Sequence, residues 1–173
     1  NSDVVSVWSN ILKKINNSKL ILKTSSKKHA SERIKELFNN SGVLNSIKFI
    51  ERKKEFKNHL DQYKQIDIAL DTFPYNGVTT SFEAIWMGVP VITMAGYNFN
   101  SRCGESINKN LNTEQLIAKD DEDYIQKVVN LSNNHDDYIN LRKSIFLNAT
   151  KSPLFNSQDY SKSFFEALEQ IVK

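Results

Sequence analysis

The sequence predicts an α/β domain, a mostly parallel sheet with helices on both faces. Two observations predict it. Short apolar runs of strand length recur at 19–23, 47–50, 66–70, 89–94 and 116–118. Between them lie longer stretches whose apolar residues repeat at i, i+3, i+4, the helical spacing. Strands that alternate with helices in this way form parallel sheets covered on both sides. With 173 residues, the chain is long enough for one domain with a sizeable core. Residues 1–173 therefore read as a single domain, with helices over 136–173 at its end.

In order, 2–15 is an amphipathic helix with Val4, Val5, Trp8, Ile11, Leu12 and Ile15 on one face. Ser2 or Asp3 is its natural cap. Residues 19–23 are a strand, 31–40 a helix with Gly42 as its stop signal, and 47–50 the next strand. A helix over 54–64 positions Phe56, His59, Leu60 and Tyr63. The apolar run 66–70 is too short for a helix and suits a buried strand. Pro74, Asn76 and Gly77 then mark a loop. Thr79 and Thr80 open a helix that ends at Gly88, with Pro90 just beyond. Residues 89–94 are a second buried strand, and 95–100 a loop. Ser101 can cap a helix toward Asn110. A small strand at 116–118 precedes helices over 121–131, 136–148 and 159–172. The last carries Phe164, Phe165, Leu168 and Ile171 and reads as a core stripe.

The candidate site is the loop and helix start between the strands at 66–70 and 89–94. Open α/β sheets bind ligands at the carboxyl ends of their strands. A helix N-terminus offers free N–H groups and partial positive charge, which suit phosphate. Gly77 allows close backbone approach, and the Thr79 and Thr80 hydroxyls can donate to phosphate oxygens. Glu83 shares their helix face and can accept from ribose hydroxyls. A second reading fits equally: Thr80-x-x-Glu83 is the pattern of a capping box and needs no ligand.

The stretch Asp71-Thr72-Phe73-Pro74-Tyr75-Asn76-Gly77-Val78-Thr79-Thr80, followed by 83–96, resembles the O-linked N-acetylglucosamine transferase and SPINDLY family, glycosyltransferase family 41. The likeness continues through Ser101-Arg102 and ends in Ser152-Pro153-Leu154-Phe155-Asn156, so it covers nearly the whole chain. It implies the Rossmann-like, nucleotide-sugar-binding C-terminal half of a GT-B glycosyltransferase. The whole enzyme would move a sugar, N-acetylglucosamine from UDP-GlcNAc above all, to Ser or Thr of a protein or peptide acceptor. The resemblance also implies a first strand and a catalytic or phosphate-binding lysine upstream of Asn1. The chain then reads as a fragment, inactive alone. It would lack the N-terminal half of the cleft and any upstream tetratricopeptide repeats, and the sheet should show a gap beside the strand near Leu20 or the one near Leu70.

By the same resemblance, His59 corresponds to a histidine beside the nucleobase; without it, His59 is a partly buried helix residue. Arg102 follows a loop at the ligand edge, where a guanidinium can meet phosphate, or it is an ordinary surface ion pair. Val78 departs from the pattern, because many members carry His before the Thr pair. SPINDLY-type members tolerate other residues there, which opens the donor to alternatives such as GDP-fucose. The substrate-binding set is therefore His59, Gly77, Val78, Thr79, Thr80, Glu83 and Arg102. The competing classes are a non-catalytic nucleotide-binding module and an interaction domain.

Several chemistries find no support. Asp67 and Asp71, four apart on an extended strand, lie roughly 13 Å apart and form no acid–base pair. His29, His59 and His135 lack ligand spacing, so no metal is expected, and no cofactor beyond the donor. Phe73 and Tyr75 read as loop packing. Residues 1–64 hold 14 Lys and Arg against 6 Asp and Glu, but the lysines are dispersed without interleaved aromatics, so no nucleic-acid partner is expected. No apolar run suggests a membrane span and no signal peptide is visible. The single cysteine, Cys103, fits a cytoplasmic protein.

Overall fold

The computed structural model describes residues 1–24, 28–51 and 55–172. The elements begin with α1 (Ser2–Lys14), β1 (Leu20–Thr24), α2 (Lys28–Asn40) and β2 (Ile47–Glu51). Then come α3 (Phe56–Asp61), β3 (Ala69–Leu70), α4 (Thr79–Trp86), β4 (Val91–Met94), α5 (Cys103–Asn110) and β5 (Ile117–Ala118). Three helices close the chain: α6 (Asp121–Asn133), α7 (His135–Lys151) and α8 (Ser157–Val172).

All strand pairings are parallel, as the alternation of strands and helices predicts. β1 pairs with β2 from Leu20 opposite Ile47 to Thr24 opposite Glu51. β4 is central in a second sheet, with Leu70 of β3 opposite Ile92 and Ala118 of β5 opposite Met94. The expectation of one five-stranded sheet needs correction, because the described strands form a pair and a triplet. The facing edges of β1 and β3 are unpaired among the described residues, and a cleft runs between them. This is the expected gap. β3 is shorter than the apolar run 66–70 because its ladder can begin only where its partner does, with Ala69 opposite Val91. β4 itself starts late. The Val89 N–H closes the end of α4 by donating to the Ala84 carbonyl, so the ladder begins at Val91.

Helices cover both faces. On one, α1 and α6 bury Val4, Val7, Trp8, Ile11, Tyr124, Ile125 and Val128 against Ile92 and Ala118. On the other, α4, α5 and α7 bury Ala84, Ile85, Ile107, Leu111, Ile145 and Ala149 with Val89 and Val91.

Other departures are local. The cap of α1 is Asn1, whose side chain accepts from the Val4 N–H at 2.9 Å, because the helix already begins at Ser2. The helix expected over 54–64 ends at Asp61 and tightens into a 3-10 turn, Gln62–Gln65; its first residue, 54, lies outside the described residues. Ser101 does not cap α5. It closes a 3-10 turn, Phe99–Ser101, in a capping box with Asn98. The last helix is not a core stripe. α8 buries no residue, and Phe165 and Ile171 are 63% and 79% exposed, because beyond the turn Pro153–Phe155 it leaves the two cores. No described helix is long and apolar enough to cross a membrane.

Candidate functional site

Asp71, at the carboxyl end of β3, organises the loop that presents α4. Its Oδ1 accepts from the Gly77 N–H at 2.6 Å, and its Oδ2 from the Thr93 hydroxyl at 2.7 Å. Burial pushes the carboxyl up to about 6, against the hydrogen bonds from Gly77 and Thr93, which pull it down. The buried Asn76 side chain adds a second tie, donating to the Thr72 carbonyl at 2.9 Å and accepting from the Gly104 N–H at 3.2 Å. A Cβ on Gly77 would come within 2.5 Å of Thr80 Oγ1, and one on Gly104 would overlap the Thr93 side chain and Asp71 Oδ2. Both positions therefore need glycine for close approach rather than for backbone conformation.

This loop delivers α4 with Val78 in the capping position and no side-chain cap. Its first N–H groups are the kind that hold anions. The capping-box alternative fails. The Glu83 carboxylate does not reach back to the helix start; its Oε2 accepts from Tyr63 Oη at 2.9 Å and lies 2.7 Å from His59 Nε2. His59 Nδ1 in turn lies 2.5 Å from Lys23 Nζ. The Thr80 carbonyl lies 3.3 Å from the same hydroxyl, whose single proton goes to the nearer, charged Glu83, and burial followed by that neighbour raises the Tyr63 pKa. His59 and Glu83 side chains are 16% and 15% exposed, so their pairing is largely shielded from water.

The structure brings His59, Gly77, Thr79, Thr80 and Glu83 to one cleft of about 1200 Å³, which continues into the gap between β1 and β3. Val78 and Arg102 do not line it. Val78 is 45% exposed, while Arg102 donates through Nε to Glu105 at 2.9 Å, an exposed pairing that raises the guanidinium pKa. Phe73 packs against Tyr124 as expected of a loop residue, whereas Tyr75 is 68% exposed. Among the described residues no group of three or more His, Cys, Asp or Glu is placed to hold a metal ion, and the side chain of His29 lies outside the description. Sequence reasoning missed Lys23, and it assigned no function to Tyr63 or Asp71. Asp71 alone carried a signal: a carboxylate where a buried strand meets a Gly-containing loop.

Parallel strands covered by helices on both faces, with an uncapped helix start at their carboxyl edge, make this a Rossmann-like α/β domain. The pattern of Glycosyl transferase family 41 matches residues 1–164, and the chain belongs to that family. It is 29% identical over 167 residues to a probable UDP-N-acetylglucosamine–peptide N-acetylglucosaminyltransferase SPINDLY of Solanum lycopersicum, covering 92% of this chain and 18% of the relative. It is 33% identical over 158 residues to the corresponding protein of Eustoma exaltatum subsp. russellianum, covering 87% and 17%. In three dimensions it resembles a mutant O-GlcNAc transferase of Thermobaculum terrenum with a TM-score of 0.89 and 26% identity, over 96% of this chain and 32% of the other. The chain thus spans under a fifth of the curated relatives' length.

Proposed function

We propose that this chain is the nucleotide-sugar-binding part of a glycosyltransferase that moves a sugar to Ser or Thr of a protein acceptor. The observation that carries this is the meeting of an uncapped helix start, Thr79, Thr80, Glu83 and His59 in one cleft at the carboxyl edge of the sheet. The amides at the start of α4 and the two Thr hydroxyls would hold the diphosphate. Glu83 would take ribose hydroxyls, and His59 would lie beside the base. Bond cleavage leaves growing negative charge on the diphosphate, and donors fixed in advance stabilise that charge most. No metal is required of such a site.

UDP-GlcNAc is the donor that the relatives' names suggest. Val78, which stands where many members carry His, leaves a second donor such as GDP-fucose open, because its exposed apolar side chain supplies no hydrogen bond to either donor. The gap between β1 and β3 suits one more parallel strand, in keeping with a longer enzyme that supplies the family lysine and the facing half of the cleft. Asn1 donates to the Phe73 carbonyl beyond β3, so a strand leading into α1 would run parallel to its neighbours. Cytoplasmic residence and upstream repeats belong to the same proposal.

The test is a thermal-shift and calorimetry panel of UDP, GDP, UDP-GlcNAc and GDP-fucose on the full-length protein. Stabilisation by one nucleotide and its sugar, lost in Glu83→Ala, is the expected result. No binding of any of the four would overturn the reading.

A further inference from the structure

The network around Glu83 is asymmetric. Oε2 takes both protein bonds, from Tyr63 and His59, while no described residue bonds Oε1. The Lys23 ammonium has donors only, so at 2.5 Å it donates to His59 Nδ1, which must accept. The ring proton of His59 then sits on Nε2 and donates to Glu83 Oε2. Two elements thus meet on one oxygen of α4, α3 through His59 and the turn after it through Tyr63, and the end of β1 supports the first of them through Lys23.

We propose that Lys23 and Tyr63 are positioning residues that fix Glu83 with Oε1 turned to the nucleotide, so that the site prefers a ribose over a 2′-deoxyribose. The proposal rests on the reading of the cleft as a nucleotide site. Lys23 acts through His59 by setting which ring nitrogen carries the proton. Tyr63 acts directly, by occupying the oxygen that would otherwise be free to turn. A carboxylate anchored at one oxygen offers the other in a fixed direction, so the hydroxyl it meets gains a bond without the carboxylate first losing rotational freedom.

The experiment measures affinity of the full-length protein for UDP and GDP, each beside its 2′-deoxy form, with inorganic pyrophosphate as a control for the phosphate subsite. The unsubstituted protein should prefer the ribose form of the base it binds by about tenfold, the worth of one hydrogen bond to a charged group. Tyr63→Phe and Lys23→Met should each cut that preference to about threefold or less, leaving pyrophosphate affinity unchanged. Lys23→Arg, which keeps a donor, should restore it. Nitrogen-15 spectra of the His59 ring should show the Nε2–H form, lost in Lys23→Met. If Tyr63→Phe and Lys23→Met keep the full preference while the protein still binds nucleotide, the positioning roles are wrong and the site stands. If neither UDP nor GDP binds, the nucleotide reading falls, and this inference with it. The ring spectrum tests the Lys23 bond even where a variant folds poorly, since the Nδ1–H form in the unsubstituted protein overturns it.

Discussion

β4 and β1 are short parallel strands of similar apolar character, Val-Ile-Thr-Met and Leu-Ile-Leu-Lys-Thr, in unlike surroundings. β4 has a strand on each side and helices on both faces; its Ile92 and Thr93 are wholly buried. β1 has one partner, and Leu20, Ile21 and Leu22 are only half-buried because they border the cleft. Composition makes both strands, but neighbours decide how much each stabilises. The half of the domain around β4 should therefore carry most of the stability, and the half around β1 should open first.

The largest effect expected is at the centre. Ile92→Ala should cost about 4 kcal/mol in denaturant unfolding, and Leu22→Ala only about 1 kcal/mol, since a residue already facing the cleft loses less burial. Equal losses would break the contrast. Gly104→Ala should destabilise by about 3 kcal/mol, because the new methyl overlaps the Thr93 and Asp71 side chains, and a melting curve reads it.

A pH titration sharpens the comparison further. Asp71 has its carboxyl raised from 3.8 to about 6 in the folded protein. Below about 3.8 it is protonated in both states and its contribution is full; as pH rises through 6, the folded state must hold a buried charge and that contribution is lost. Stability measured from pH 4 to 7 should fall by on the order of 2 kcal/mol relative to Asp71→Asn, which has no proton to lose. A parallel pH trend in both proteins would assign the slope elsewhere. The smallest effect is expected of Arg102→Ala. Its exposed pair with Glu105 should leave the melting temperature unchanged, and nucleotide affinity too, since it lies away from the cleft.

The sheet and most helices were legible because periodicity and punctuation are local. Gly88 has a positive φ of 70° at the end of α4, where the stop signal stood. The run 66–70 misled because strand length depends on a partner's edge, which no local pattern records. α8 misled because an apolar stripe states that a helix needs cover, not where the cover is. The site was legible in the cleft residues of the loop and helix start, which sit together in eight positions, 76–83. The supporting network was not. Lys23 and His59 are 36 residues apart, and His59 and Glu83 are 24 apart, so only the folded chain reveals that they touch.

The facing edges of β1 and β3 have a colloidal consequence. Each is a row of backbone donors and acceptors lacking a strand partner among the described residues, the arrangement that templates pairing between molecules. Handled by itself at high concentration, the chain has an association route that bypasses its charged surface, so ionic strength should matter less than protein concentration to its light scattering. Short β-prone peptides should suppress that scattering by competing for the edges. A charged residue in place of Leu22 should suppress it too.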